Sequence, residues 1–150
     1  LGTGGALVNA LPKLSEQFVI LYGDSYLPVD YETITAQYTR CSRPAMMAVM
    51  RNSGQWDASN ARVENDKVSF YSKTAKPDEA DWIDYGLTLL KRDIIQSYAD
   101  SEMPLDMGKI QSDLVERGEM SAYIVNQRFY EIGKPEGLYD LEQFLRKEEV

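Results

Sequence analysis

The chain has 150 residues, enough for one domain with its own core, and 43% of them are hydrophobic, which is typical of a folded protein. The formal charge of −8 argues against a broad nucleic-acid surface. The absence of histidine excludes Ser-His and Cys-His catalysis and every metal site built on imidazole. The single cysteine, Cys41, excludes an intrachain disulfide and favours a reducing cytoplasm. No apolar run approaches the roughly 20 residues of a membrane-spanning helix, and no signal-peptide pattern opens the chain.

The first part of the chain predicts two helices and two strands. Residues 3–14 predict a helix with a glycine-rich start, which Pro12 is expected to shorten. Three elements follow in order: a strand buried on both faces at 18–22, a helix capped by Asp30 at 30–41, and a second buried strand at 45–50. Residues 51–60 predict a polar loop.

The second part begins with a hairpin at 61–73 that turns at Asn65 and Asp66. The remaining elements are a strand at 81–90, helices at 91–98 and 105–117, a strand or strand pair at 121–132, and a helix that begins at Pro135. Strands alternate with helices apart from the hairpin. We therefore predict one α/β domain with a Rossmann-like mixed, mostly parallel central sheet flanked by helices.

Two carboxylates follow apolar segments and are candidates for a metal site. Asp24 comes directly after the strand 18–22 and Gly23, and ligands of open α/β sheets bind beyond the carboxyl ends of strands. Asp24 there either reaches a hard cation such as Mg²⁺ or caps a turn. Glu131 ends an apolar segment in "EIGKPEG", which alone is only a strand–turn–helix connection. Paired with Asp24, it could complete a two-carboxylate Mg²⁺ site.

Other candidates carry weaker signals. Thr3, Gly4 and Gly5 lie in "GTGGA", whose backbone N–H groups could face a phosphate or a flat base, although no Walker A lysine follows. Lys73 closes the hairpin and is either a surface lysine or an anion contact. Gly86 lies inside a predicted strand, where glycine often marks the close approach of a ligand or of another backbone.

Five segments, in this order, resemble the sugar-1-phosphate nucleotidyltransferase family. They are "LGTGGAL" at 1–7, "FVILYGDSYL" at 18–27, "SFYSK" at 69–73, "DYGLTLL" at 84–90 and "RFYEIGKPEGL" at 128–138. The likeness covers nearly the whole chain and is nearest to heptose-1-phosphate and mannose-1-phosphate guanylyltransferases.

The resemblance implies a cytoplasmic enzyme that joins a sugar 1-phosphate to a nucleoside triphosphate with Mg²⁺ and releases pyrophosphate. It implies roles for seven residues: Thr3, Gly4 and Gly5 against the nucleobase, Asp24 and Glu131 as metal ligands, Lys73 at the sugar phosphate, and Gly86 beside the sugar. Two positions depart from the family pattern. Ser72-Lys73 stands where Glu-Lys is usual, and Glu131 stands where Asp is frequent.

The family's first strand, and its glycine-rich loop ending in Thr-Arg that holds the triphosphate, have no counterpart in residues 1–150. We therefore expect these residues to form the catalytic domain without that N-terminal part, inactive alone and inclined to associate. The alternative function is a non-catalytic relative that serves as a binding or assembly module. A metal-dependent glycosyltransferase would need Asp-x-Asp after the strand, where "GDSY" supplies one aspartate. The sugar, the base and homo-oligomerisation stay open.

Overall fold

The computed structural model describes residues 1–54 and 58–148. The helices are α1 (Gly2–Ala10), α2 (Tyr31–Arg40), α3 (Arg92–Gln96), α4 (Met107–Glu116) and α5 (Pro135–Glu148). The strands are β1 (Gln17–Leu21), β2 (Ser25–Tyr26), β3 (Ala45–Arg51), β4 (Ala61–Glu64), β5 (Lys67–Tyr71), β6 (Trp82–Lys91), β7 (Met120–Val125) and β8 (Tyr130–Glu131). The predicted polar loop at 51–60 contains residues 55–57, which lie outside the described residues.

Local sequence signals set most of these boundaries, as predicted. Helix α1 ends at Ala10 and passes into a short 3₁₀ turn around Pro12, because proline cannot donate the next helical hydrogen bond. Helix α2 begins after Asp30, whose carboxylate accepts a hydrogen bond from the Thr33 backbone N–H at 3.1 Å. Asn65 and Asp66 both have positive φ, 49° and 59°, and turn the hairpin β4–β5.

The pairing directions of the main sheet correct the predicted mostly parallel sheet. The order is β1-β6-β3-β7-β5-β4, and an added contact of β4 with β6 closes the last five strands into a ring. Among the described strands only β3 and β7 pair in parallel, whereas the other pairings are antiparallel. The reason is that β3, β4, β5 and β6 follow one another without a helix between them. Parallel neighbours need a crossover of a dozen or more residues, which these connections do not provide.

Helices cover both faces of this sheet, so the domain has three layers. Strand β3 is buried on both faces because its side chains alternate between two cores. Ala45, Met47 and Val49 face the core that is formed with α1, α3 and α4. Met46, Ala48 and Met50 face the core that is formed with α2.

The edge strand β1 differs from its prediction, because only one of its faces is covered. Phe18 and Ile20 pack against the core of α1, α3 and α4. Val19 and Leu21 point to the other face and are 40% and 49% exposed. Helix α2 packs over β3, β6 and β7 and leaves this part of the sheet open. An apolar run alone therefore did not establish burial on two sides.

None of the described helices is both long enough and apolar enough to cross a lipid bilayer.

Candidate active site

Gly86 is a buried residue of β6 at the point where β1 and β6 part. The ladder between β1 and β6 ends at the pair Leu21–Leu87, and the next residue, Tyr22, donates its backbone N–H to the Gly86 carbonyl at 3.3 Å. Gly86 has φ +82°, and the β3–β6 register shifts beside it. A Cβ at this position would lie 3.1 Å from the Tyr22 ring. Glycine therefore permits both the backbone conformation and the close approach of Tyr22.

Tyr22 connects the carboxylates of this region. Burial raises the pKa of its phenol to about 12, and the carboxylates of Asp84, Asp106 and Asp24 add to the shift in that order. Each negative charge disfavours a phenolate nearby. Asp84 and Asp106 are distant from Tyr22 in the sequence, so the fold brings their charges near its ring.

Asp84 is the least exposed of these three carboxylates and is partly buried. Its carboxylate accepts hydrogen bonds from the Gly86 backbone N–H at 3.0 Å, the Gln111 side-chain amide at 3.1 Å and the Tyr71 hydroxyl at 3.4 Å. Burial raises the pKa of Asp84, and these hydrogen bonds together with the charge of Lys73 oppose that rise. Asp84 thereby fixes the backbone of Gly86.

Lys73 lies on the same side and binds a carboxylate. Its ammonium group is 2.6 Å from the Asp106 carboxylate, and both side chains are about half exposed. This contact is the main cause that lowers the pKa of Asp106. Lys73 is thus a partly exposed cation that is held in place by Asp106.

The glycine-rich segment lies against the residues around Asp106. The N–H groups of Gly4 and Gly5 both donate to the Leu105 carbonyl, at 2.9 Å and 3.1 Å. The Thr3 hydroxyl accepts a hydrogen bond from the Met107 N–H at 2.8 Å. These groups therefore hold the start of α1 on the start of α4, and any contact of this segment with a base uses its other atoms.

Asp24 and Glu131 are brought together by a small second sheet. Strands β2 and β8 pair with Ser25 opposite Glu131, and the Ile132 N–H donates to the Asp24 carbonyl at 2.7 Å. The turn that carries Asp24 therefore lies beside the strand that ends in Glu131.

Glu131 also lines a cavity of about 240 Å³ that is rich in charged groups. Arg128, Lys134 and Glu136 share the lining, and the Lys134 ammonium lies 3.8 Å from the Glu131 carboxylate. The lining thus carries two cations and two carboxylates, and both cations are ion-paired, Lys134 with Glu131 and Arg128 with Asp140.

The structure thus gathers the predicted residues into two adjoining groups. Lys73 and Thr3, Gly4 and Gly5 surround Asp106, whereas Asp24 and Glu131 meet at the second sheet, and Tyr22 and Gly86 lie between the groups. The sequence analysis missed Tyr22, Asp84, Asp106 and Gln111. A charged residue inside the apolar strand of "WIDYGLTLL" was the signal for Asp84, because unpaired buried carboxylates are rare.

No protein-family model matches the chain, and no curated protein matches it either. Solved structures do match, and the similar ones are nucleotidyltransferases. One from Bacillus anthracis, described as a glucose-1-phosphate thymidylyltransferase and crystallised with sucrose, is 15% identical, with a TM-score of 0.81. HddC from Yersinia pseudotuberculosis is 22% identical, with a TM-score of 0.69. The inositol-1-phosphate CTP transferase from T. maritima is 18% identical, with a TM-score of 0.75.

The chain has the nucleotidyltransferase fold. These comparisons cover 97%, 96% and 95% of this chain but only 61%, 63% and 62% of the solved chains, so it spans about three fifths of their length. Identities this low establish the fold alone. The resemblance to sugar-1-phosphate nucleotidyltransferases that the motifs indicated is confirmed at that level.

Proposed function

We propose that this chain is the part of a sugar-1-phosphate nucleotidyltransferase that binds the sugar phosphate and the metal. The reaction joins a sugar 1-phosphate to a nucleoside triphosphate and releases pyrophosphate. The observation that carries the proposal is the pairing of β2 with β8, in which the backbone of Asp24 bonds that of Ile132, the neighbour of Glu131. The nucleotidyltransferase fold supports the same reaction class.

Asp24 and Glu131 fit Mg²⁺ better than a metal with a full protein shell. Among the described residues, no group of three or more His, Cys, Asp or Glu side chains could hold a metal. Magnesium is commonly held by one or two carboxylates and completes its shell with waters and substrate phosphates. When bound there, Mg²⁺ would offset the negative charge of the substrate phosphates.

Lys73 is proposed to contact the sugar 1-phosphate. Its side chain is half exposed beside Asp106, and its ammonium can donate to a phosphate oxygen. Gly86 is buried, with its N–H and C=O bonded to Asp84 and Tyr22, so its proposed place beside the sugar rests on the resemblance alone. The same holds for Thr3, Gly4 and Gly5 at the nucleobase, since Gly4 and Gly5 are buried and bonded to Leu105.

The reaction requires little proton transfer from the protein. An oxygen of the sugar phosphate attacks the α-phosphorus, the new P–O bond forms, and the bond to the pyrophosphate oxygen breaks. The attacking phosphate is mostly ionised at neutral pH, since the second pKa of a phosphate monoester is about 6. A chain without histidine is therefore not at a disadvantage, because catalysis depends on positioning and charge neutralisation.

The test of the metal pair is an assay of pyrophosphate release, with Mg²⁺ and panels of sugar 1-phosphates and nucleoside triphosphates, in the complete protein. We expect Asp24→Asn and Glu131→Gln each to lower kcat/KM about 100-fold or more. Glu136→Gln is the matched control, because Glu136 lines the same cavity and has no proposed role. Equal effects of all three substitutions would contradict the assignment.

Lys73→Ala separates the two substrates. Loss of a hydrogen bond to a charged group should raise KM for the sugar 1-phosphate about tenfold to a hundredfold and change KM for the triphosphate far less. Equal changes in both KM values would remove Lys73 from the sugar-phosphate site. Binding of both ligands without turnover in the wild-type protein would favour the alternative, a non-catalytic binding module.

A further inference from the structure

Asp106 receives more contacts than a helix cap requires. Its Oδ1 accepts hydrogen bonds from the Gly108 backbone N–H at 2.6 Å and from the Lys73 ammonium at 2.6 Å. Asp30, which caps the equally long helix α2, binds residues of its own helix, Glu32 and Thr33, the latter through the backbone N–H at 3.1 Å and the hydroxyl at 2.6 Å. The capping role is common to both aspartates, whereas the contact with a lysine more than 30 positions away belongs to Asp106 alone of the two.

The local structure is arranged so that Lys73 can reach this oxygen. Gly108 follows in the first turn of α4, where a Cβ would lie 2.7 Å from the Lys73 Cε and 2.8 Å from the Asp106 Oδ1. Any larger residue at position 108 would push the lysine stem away. Glycine at this position therefore allows Lys73 to lie across the start of α4.

The same short segment also holds the glycine-rich start of the chain. Leu105 donates its N–H to the Leu1 carbonyl at 2.9 Å and accepts from Gly4 and Gly5. Met107 donates its N–H to the Thr3 hydroxyl. Residues 105–108 thus contact both Lys73 and the segment of Thr3, Gly4 and Gly5.

We propose that Asp106 is a positioning residue, which fixes the Lys73 ammonium relative to the glycine-rich segment and so sets the spacing between the sugar phosphate and the nucleobase. This inference rests on the proposed function. Asp106 acts through Lys73, and the side chain itself does not touch the reacting atoms. The Asp106 carboxylate also competes with phosphate for the Lys73 ammonium. Removal of the carboxylate therefore makes the lysine more mobile without weakening the attraction of the ammonium for an anion.

The kinetic test replaces Asp106 with residues that still cap a helix but carry no charge. For Asp106→Asn and Asp106→Ser in the complete protein, we expect kcat to fall about tenfold, because a reactive group is less well positioned, while KM for the sugar 1-phosphate does not rise. Asp30→Asn, the matched loss of a charged cap, should leave both constants unchanged. In a Lys73→Met background, Asp106→Asn should cause no further loss, because the two residues act as a unit.

Two kinetic results would overturn the proposal. One is that Asp106→Asn behaves like Asp30→Asn. The other is that its loss of kcat persists in full when Lys73 is absent, which would assign Asp106 a role independent of the lysine.

A second measurement separates this inference from the proposed function. If the wild-type protein turns over no pair of substrates, the proposed function fails, and the rate at which an amine-reactive acylating reagent modifies Lys73 decides the positioning role. Mass spectrometry should then show severalfold faster modification in Asp106→Asn than in Asp30→Asn, because the lysine has lost its ion pair. Equal rates in the two variants would show that Asp106 does not hold Lys73.

Discussion

Strands β1 and β3 both have nearly unbroken apolar runs, yet they lie in different environments in the fold. β3 pairs with β6 on one side and β7 on the other, and Val49 within it is fully buried. β1 pairs only with β6, and Val19 within it is 40% exposed. Apolar sequence is thus necessary for a buried strand but not sufficient. Whether an apolar strand is buried also depends on its position in the sheet and on the helices that cover it.

The largest expected effect contrasts one substitution in the two strands. Val49→Asp buries an uncompensated carboxylate, which costs about 3–5 kcal/mol and should abolish or nearly abolish folding. Val19→Asp should change the free energy of unfolding by no more than about 0.5 kcal/mol, as at most surface sites. Circular dichroism during urea unfolding measures both. Val49→Ala, expected to cost about 2 kcal/mol, keeps the comparison measurable if Val49→Asp does not fold. Similar losses of unfolding free energy at positions 19 and 49 would refute the difference between the two strands.

Gly86 marks the point where β6 leaves β1 and remains paired with β3. Gly86→Ala should cost about 1–3 kcal/mol, because alanine is strained at φ +82° and its Cβ meets the Tyr22 ring. Gly118→Ala is the control, since Gly118 has φ +70° and open space around its missing Cβ. Thermal unfolding should show a larger loss for Gly86→Ala. If the two variants lose equally, the approach of Tyr22 contributes nothing.

Asp84 lies on the part of β6 that pairs with Val49 of β3 and has no β1 partner. Burial raises its pKa, so the folded state binds the proton more tightly than the unfolded state does. Its contribution to stability is therefore greatest below the unfolded pKa of about 3.9 and is lost as pH rises through the folded value. The stability of Asp84→Asn relative to wild type should therefore increase over that rise.

Denaturant unfolding of both proteins at a series of pH values measures this difference. The asparagine of the variant keeps an oxygen for the Gly86 N–H, and Gln111 can reverse its amide to accept from the new NH₂ group, because the Gln111 Oε1 has no hydrogen-bond partner now. A difference that is constant with pH would mean that Asp84 keeps an ordinary pKa.

The smallest effect on stability is expected at the free edge of β1. Leu21→Lys should leave the free energy of unfolding within about 0.5 kcal/mol of wild type and reduce self-association, because charge on an exposed edge strand opposes strand pairing between molecules. Leu138→Lys on α5 removes a similarly exposed leucine away from any strand edge. Sedimentation at increasing protein concentration compares them. If Leu138→Lys reduces self-association as much as Leu21→Lys does, the contact between molecules does not depend on the edge of β1.

Local signals predicted most of the elements but not the two-residue strand β2, and tertiary pairing was needed for the rest. Asp30, Pro12 and the Asn65–Asp66 turn each act through bonds to near neighbours, so the sequence alone indicated their structure. Strand direction depends on which strands become neighbours. The antiparallel placement of β6 between β1 and β3 was therefore missed, although the absence of a helix between β3 and β6 was a usable signal.

The residues of the candidate site likewise divide into those that the sequence indicated and those that only the tertiary structure reveals. Asp24 and Glu131 were singled out because each follows an apolar segment, a pattern visible in sequence. Asp106 looked like any residue before a helix, and only the packing of residue 73 across the start of α4 distinguishes it from Asp30. Tyr22 became a candidate because the carboxylates of Asp84 and Asp106, from two other segments, act on its phenol, and no spacing in the chain reveals this.

The second sheet, which joins Asp24 to Glu131, consists of only two residue pairs. It is held by Phe144 of α5, whose ring lies 6.5 Å from that of Tyr26 and 4.8 Å from that of Tyr130. So small a ladder should open locally while β3 stays closed, and its amide protons should exchange with solvent far earlier than those of the central strand. The cation proposed for Asp24 and Glu131 would slow this exchange, since it would bind only the closed form. Its affinity would then depend on a local folding equilibrium to which α5 contributes through Phe144.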